Sequence, residues 1–213
     1  MGAVLFDMDG TLIDSEPLWQ RAEEEIAADF GQVWSYEDGQ ALTGNSLVNS
    51  ASIMIERKNL PLSPHEVIEM MISKMHDFYI HQGVPWMAGA RELLRELAAA
   101  KIPTALVSAS YEILVREVCA TAPAGSLEVM VTGTEPNMRQ KPFGDPYRLA
   151  ARRLQVPIEN CLVVEDSAPG LASGKDAGAR LALVGGRDIP EISAARFSSV
   201  AQMSLQDVKE LLA

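Results

Sequence analysis

The sequence predicts an α/β fold: an open parallel sheet with helices on both faces, interrupted by an all-helical insert. Two observations carry this. Short apolar runs alternate with helical patterns through residues 88–213, as expected of parallel strands joined by right-handed helical crossovers. Residues 15–86 break the alternation, being helical in pattern throughout and following directly on the first apolar run.

That first run, Ala3–Phe6, is continuously apolar, and so are Thr104–Val107, 127–131, 162–164 and 181–184. Strands covered on both faces read this way. Helical patterns occupy 88–100, 111–121, 146–154 and 171–177, and a last helix, Leu205–Leu212, starts from Ser204 with Asp207 placed to complete a capping arrangement. Within the insert, residues 17–30 carry apolar side chains at helical spacing, with Glu23-Glu24-Glu25 as a solvated face. Ser63-Pro64-His65-Glu66 is a strong helix start: a hydroxyl cap, proline at the first helical position and glutamate at the third. Val67, Ile68, Met70, Met71, Met75 and Phe78 then read as packing surface. The expected division is a Rossmann-like core, 1–14 and 87–213, and a helical cap domain, 15–86, with hinges near 13–16 and 83–88.

A chain of 213 residues can bury one sizeable core, or a core with a smaller insert. Its formal charge of −11 argues against nucleic acid or an anionic membrane surface as partner, since both need a basic face. An anionic small substrate remains compatible if a metal and a few local cations reverse the field in a cleft. No apolar run approaches the roughly 18–20 residues that span a bilayer, and Asp7 and Asp9 interrupt any signal-like start. The two cysteines, Cys119 and Cys161, lie in apolar segments and read as small core residues. A cytoplasmic monomer is the expectation.

The chemistry gathers at strand ends. Val4-Leu5-Phe6 stops abruptly at Asp7-Met8-Asp9-Gly10-Thr11, which is either a surface turn or a pair of carboxylates awaiting a cation. Ser108-Ala109-Ser110 follows the second run, Lys141-Pro142 precedes the Asp145-Pro146 helix start, and Glu165-Asp166-Ser167 follows the run at 162–164. Parallel strands place all their carboxyl ends on one edge, so these groups converge on one crevice. The inventory matches phosphoryl transfer through an aspartyl-phosphate. Asp7 is the candidate nucleophile, and Asp9 the general acid toward the leaving group and then the general base toward water. The Asp7 carboxylate, the Asp9 carbonyl and Asp166 are candidate Mg²⁺ ligands, with Glu165 as a further or supporting one. Ser108 and the Ala109 N–H can hold phosphate oxygens, while Lys141 offsets negative charge. Taken singly, Ser108 reads more readily as a cap and Lys141 as solvated loop, and Glu165-Asp166 could equally open a helix. Four such sites in this order make joint coincidence improbable.

Phe6-Asp7-Met8-Asp9-Gly10-Thr11-Leu12, Val107-Ser108, Lys141-Pro142 and Glu165-Asp166-Ser167 together resemble the four motifs of the haloacid dehalogenase-like hydrolase superfamily, the aspartate-nucleophile phosphatases. A helical cap after the first motif resembles its β-phosphoglucomutase-like branch. Asp9 separates the chain from the true dehalogenases, which lack the second aspartate. Leu12-Ile13-Asp14-Ser15-Glu16-Pro17-Leu18-Trp19 with Arg21-Ala22-Glu23 looks like the 2-deoxyglucose-6-phosphate and hexitol phosphatases. Mutases of the branch usually have histidine where Trp19 stands, used with a cap lysine to shield the intermediate from water, and Lys74 lies only near that lysine position.

Departures from the pattern are few. Leu42-Thr43-Gly44-Asn45-Ser46-Leu47 lacks the arginine that relatives often carry just after the glycine, Gln140 replaces a common glycine, and Phe143-Gly144-Asp145 a common Ala-Pro-Asp. Trp19, Asn45, Ser46, His76 and Tyr79 are candidate readers of the leaving group, with ordinary cap surface or core as the alternative for each, and a lone helical histidine is more often structural. The resemblance implies a Mg²⁺-dependent phosphatase of a small phosphorylated metabolite, a sugar or polyol phosphate. A phosphosugar mutase is the alternative, and a catalytically idle binding protein the reading from another class.

Overall fold

The computed structural model describes residues 2–42, 45–185 and 189–213. It resolves into two compact units, Met1–Asp14 with Val84–Ala213, and Ser15–Gly83.

The first unit is built on a six-stranded sheet. Its strands are β1 (Ala3–Phe6), β2 (Thr104–Val107), β3 (Val129–Val131), β4 (Cys161–Glu165), β5 (Arg180–Leu183) and β6 (Ala195–Arg196), in spatial order β3-β2-β1-β4-β5-β6 with every pair parallel. Every residue of β1, β2 and β4 is buried. Alternate side chains serve opposite faces. Ala3, Leu5, Ala105, Val107, Cys161 and Val163 share one apolar cluster with Tyr147 and Ala150 of α7 (Asp145–Leu154) and Ala177 of α8 (Ala168–Ala177). Helices α5 (Ala90–Ala99) and α9 (Leu205–Leu212) contact each other as well as β2 and β4 respectively, and α6 (Glu112–Thr121) joins β2 to β3. The α9 capping box forms as expected, with the Ser204 N–H donating to Asp207 at 2.8 Å.

The edges of the sheet depart from the sequence reading. The third strand begins at Val129, not 127, because Leu127 has φ +50 and its N–H donates to Thr104 Oγ1 at 2.7 Å. That is a turn held by a side chain. The sixth strand, Ala195–Arg196, has too few residues and too little apolar character to read as one. α8 begins at Ala168, before the expected 171, because Ser167 caps it by accepting from the Gly170 N–H and Pro169 sits in its first turn.

The second unit holds α1 (Glu16–Asp29), α2 (Tyr36–Gln40), α3 (Leu47–Lys58) and α4 (Pro64–Gln82). Its core includes Ile26, Trp34, Met54, Val67, Ile68 and Met71. Ser63 and Glu66 form the capping box anticipated at the start of α4. One reading needs correction: Glu23 is not solvated but buried, because it shares the inward face of α1 with Ala22, Ile26 and Ala27, and Trp34 Nε1 donates to its Oε2 at 3.0 Å. The helical unit ends at Gly83, and not at 86, because Pro85 and Met87 are tied to the first unit. The Asp14 N–H donates to the Pro85 carbonyl at 2.9 Å and the Met87 N–H to the Leu12 carbonyl at 2.8 Å. No described helix is long and apolar enough to cross a membrane.

Candidate active site

β1 lies between β2 and β4, so the chain's crossovers diverge from it and leave a crevice at the carboxyl ends of these strands. Asp7 is the first residue past β1, and its N–H continues the ladder to the Val164 carbonyl at 3.0 Å. Its side chain is buried beside Lys141. The Lys141 ammonium donates to Asp7 Oδ1 and Glu165 Oε1, both at 2.6 Å, and to the Val107 carbonyl at 3.1 Å. Glu165, fully buried, has both carboxylate oxygens engaged: Oε1 also accepts from Tyr147 OH at 2.7 Å, and Oε2 from Ser167 Oγ at 2.8 Å.

Two glycines let these acids sit so close to backbone. A Cβ on Gly170 would fall inside the Glu165 carboxylate, and one on Gly10, whose φ is +82, would fall against the Asp166 carboxylate. Carboxylate oxygens of Asp7, Glu165 and Asp166 all lie within 4.8 Å of one another. Three carboxylates thus face one ammonium, an excess of negative charge that suits a hard divalent cation. Burial, then Glu165 and Asp166, push the Asp7 carboxyl well above its ordinary range against the pull of Lys141. Burial opposes the Lys141 charge, but Asp7 and Glu165 outweigh it and raise that pKa. Burial and the same two carboxylates also push the Tyr147 phenol up, so it stays a hydrogen-bond donor.

The loop after β2 forms the other wall. The Ser108 N–H continues the ladder to the Val131 carbonyl at 3.0 Å, and its buried Oγ accepts from the Ser110 N–H at 2.9 Å. The Asp9 carboxylate is turned toward this loop: Ser110 Oγ donates to Asp9 Oδ2 at 3.0 Å, with Ser108 Oγ at 3.5 Å. Ala109 is exposed, and its carbonyl lies against Gly133, where a Cβ would overlap it. The structure therefore brings Asp7, Asp9, Ser108, Ala109, Lys141, Glu165 and Asp166 to one sheet edge.

Sequence reasoning missed three contributors, Tyr147, Ser110 and Gly170. Gly170 did leave a signal, being a glycine in the first turn of a helix, where it costs stability unless close packing requires it. Nothing in the sequence pattern marks Tyr147. The other candidates all lie in the helical unit. Trp19 packs against its core, Ser46 is spent as the α3 cap, Asn45 donates to the Ala41 carbonyl, His76 is half-buried and Tyr79 is buried. Lys74 is paired with Glu25 and Asp29, each at 3.3 Å. Thr43 and Gly44 of the loop said to lack an arginine lie outside the described residues.

Comparison with known proteins finds phosphatases among the relatives. The "Probable pseudouridine-5'-phosphatase" of Drosophila melanogaster is 30% identical over 215 residues, covering 96% of this chain and 90% of that protein. Hexitol phosphatase A of Escherichia coli is 32% identical over 187 residues, 84% of this chain and 81% of its own, in line with the resemblance read from residues 12–23. The crystal structure of CbbY from Rhodobacter sphaeroides in complex with phosphate superposes with a TM-score of 0.83 at 27% identity, covering 98% of this chain and 99% of that one. Residues 1–178 match the haloacid dehalogenase-like hydrolase family, and the chain is a hydrolase belonging to that family.

Proposed function

We propose that this protein is a Mg²⁺-dependent phosphomonoesterase of a small sugar or polyol phosphate, working through a phosphoenzyme on Asp7. One observation supports it above the others: a single buried ammonium, Lys141, bridges Asp7 and Glu165 beside Asp166. Asp7, Asp166 and the Asp9 carbonyl would hold the cation, while Glu165, with both oxygens engaged, serves to fix Lys141. Mg²⁺ would offset charge on the phosphoryl oxygens as they approach the carboxylates.

The Asp7 carboxylate attacks phosphorus, forming an acyl phosphate as the bond to the ester oxygen breaks. Asp9 gives a proton to that departing oxygen, then takes one from the water that attacks the acyl phosphate, releasing phosphate and restoring Asp7. Lys141 neutralises charge at the attacking carboxylate, and Ser108 with the Ala109 N–H receives phosphoryl oxygens. Trp19 and the pairing of Lys74 with Glu25 and Asp29 favour transfer to water over transfer to a second sugar hydroxyl. The Drosophila and Escherichia coli relatives, both named as phosphatases, point the same way. The helical unit acts as the cap that reads the leaving group. Both cysteines are free, in keeping with a reducing cytoplasm.

The test is a phosphate-release screen over sugar phosphates, polyol phosphates and nucleotides, with and without EDTA. Mg²⁺-dependent release from a sugar or polyol phosphate is expected, and Asp7→Asn should abolish it while the fold persists. Near-full activity in that variant would refute the covalent route. Conversion of β-glucose 1-phosphate to glucose 6-phosphate without phosphate release would turn the assignment to a mutase.

A further inference from the structure

We propose that Ser110 is a positioning residue for leaving-group protonation, aiming the Asp9 carboxyl through its hydroxyl; this rests on the reading of Asp9 as general acid. The two serines of the loop after β2 are not equivalent. Ser108 is buried, its Oγ accepts from the Ser110 N–H at 2.9 Å, and its contact with Asp9 is the longer one, 3.5 Å. Ser110 makes the shorter contact, 3.0 Å.

Ser110 is also well placed to act as a fixed anchor. Its N–H is tied to Ser108 Oγ, and its carbonyl accepts from the Gly133 N–H at 2.9 Å. Gly133 in turn lies directly against the Ala109 carbonyl, where any side chain would displace the loop. The backbone of residue 110 is therefore held from both sides, and its hydroxyl holds Asp9 across the crevice. A hydroxyl donates to a carboxylate and accepts from a carboxylic acid. Ser110 can thus stay paired with Asp9 before and after the proton passes from the Asp9 carboxyl to the ester oxygen.

The experiment compares kcat/KM on two substrates that share the phosphoryl group and differ in the leaving group. Sorbitol 6-phosphate expels an alkoxide, which needs a proton as the P–O bond breaks. p-Nitrophenyl phosphate expels a phenolate, which is stable as the anion. A positioned general acid contributes about a hundredfold or more, and a misaimed one forfeits part of that, so Ser110→Ala should lower kcat/KM on sorbitol 6-phosphate roughly tenfold. The loss on p-nitrophenyl phosphate should be several times smaller, and Ser110→Thr, which keeps the hydroxyl, should recover most of the sorbitol 6-phosphate rate.

Equal losses on both substrates would make Ser110 a phosphate-binding or purely structural residue and overturn the proposal. So would a threonine variant as impaired as the alanine one. Asp9→Asn, assayed in parallel, separates the two levels of the argument. If Asp9→Asn discriminates between the leaving groups and Ser110→Ala does not, the role of Ser110 falls alone. If Asp9→Asn does not discriminate either, the assignment of Asp9 as general acid falls, and that of Ser110 with it.

Discussion

Replacing Lys141 with methionine keeps most of the side chain's length and removes its charge, leaving Asp7 and Glu165 to face each other without a cation between them. In the native site the ammonium contacts each carboxylate at 2.6 Å, with all three side chains nearly or fully buried. At an effective dielectric near 20, a contact at that distance corresponds to roughly 6 kcal/mol of attraction. Desolvating the ions consumes most of this, and breaking a buried pair by removing one partner typically costs about 3–5 kcal/mol. Against a total stability of about 5–15 kcal/mol that is a large fraction.

The assay is urea denaturation followed by circular dichroism, with EDTA in every sample so that no divalent cation substitutes for the lysine. Adding Glu165→Gln to Lys141→Met should return part of the loss, because a neutral amide takes the place of one stranded charge. A single variant within about 1 kcal/mol of the parent would refute the reasoning, since it would mean that surface-like screening governs the cluster. A double variant no better than the single one would refute it equally.

Three further outcomes follow from particular contacts. Gly170→Ala places a methyl group inside the Glu165 carboxylate, and overpacking of this kind should cost about 1–3 kcal/mol, read as a lowered Tm; an unshifted Tm would show that the helix simply slides. Tyr147→Phe deletes a 2.7 Å donor to Glu165 Oε1 and should cost about 1.5–3 kcal/mol, the range for a hydrogen bond to a charged group, with equal urea midpoints counting against it. Glu23, its pKa pushed up to about 7 by burial against the opposing hydrogen bond from Trp34, gives a pH dependence with a definite sign. The folded value lies above the unfolded one, so the stabilisation is complete below about pH 4.3 and is lost as pH rises through about 7, on the order of 3 kcal/mol in all. Glu23→Gln should abolish that slope in urea midpoints measured from pH 4 to 8, and an unchanged slope would place the titration elsewhere.

The strands at the centre of the sheet were legible because burial on both faces makes them continuously apolar, as in Ala3–Phe6 and Thr104–Val107. At the periphery that signal fails. Leu127 is apolar yet turns on a bond to Thr104, and Ala195–Arg196 pairs at an edge where little needs to be buried. The polar residues of the candidate site were legible for a related reason: Asp7, Ser108 and Asp166 lie at or just beyond the ends of buried strands, where nothing in the packing calls for them. Tyr147 and Ser110 act through partners distant in sequence, Glu165 and Asp9, so no local pattern marks them. Glu23 was misread because its neighbours Glu24 and Glu25 suggested a charged face; yet its spacing from Ile26 and Ala27, three and four residues on, is that of an inward helical stripe.

Lys141 is held at three points, and only one of them involves Asp7, the proposed nucleophile. On the proposed covalent route Asp7 becomes an acyl phosphate and its carboxylate charge disappears, and a lysine anchored by that charge alone would swing away and have to be recruited again. Glu165 and the Val107 carbonyl keep the ammonium where it was. Both halves of the reaction then meet the same stationary cation, and no reorganisation of the site is added to either barrier.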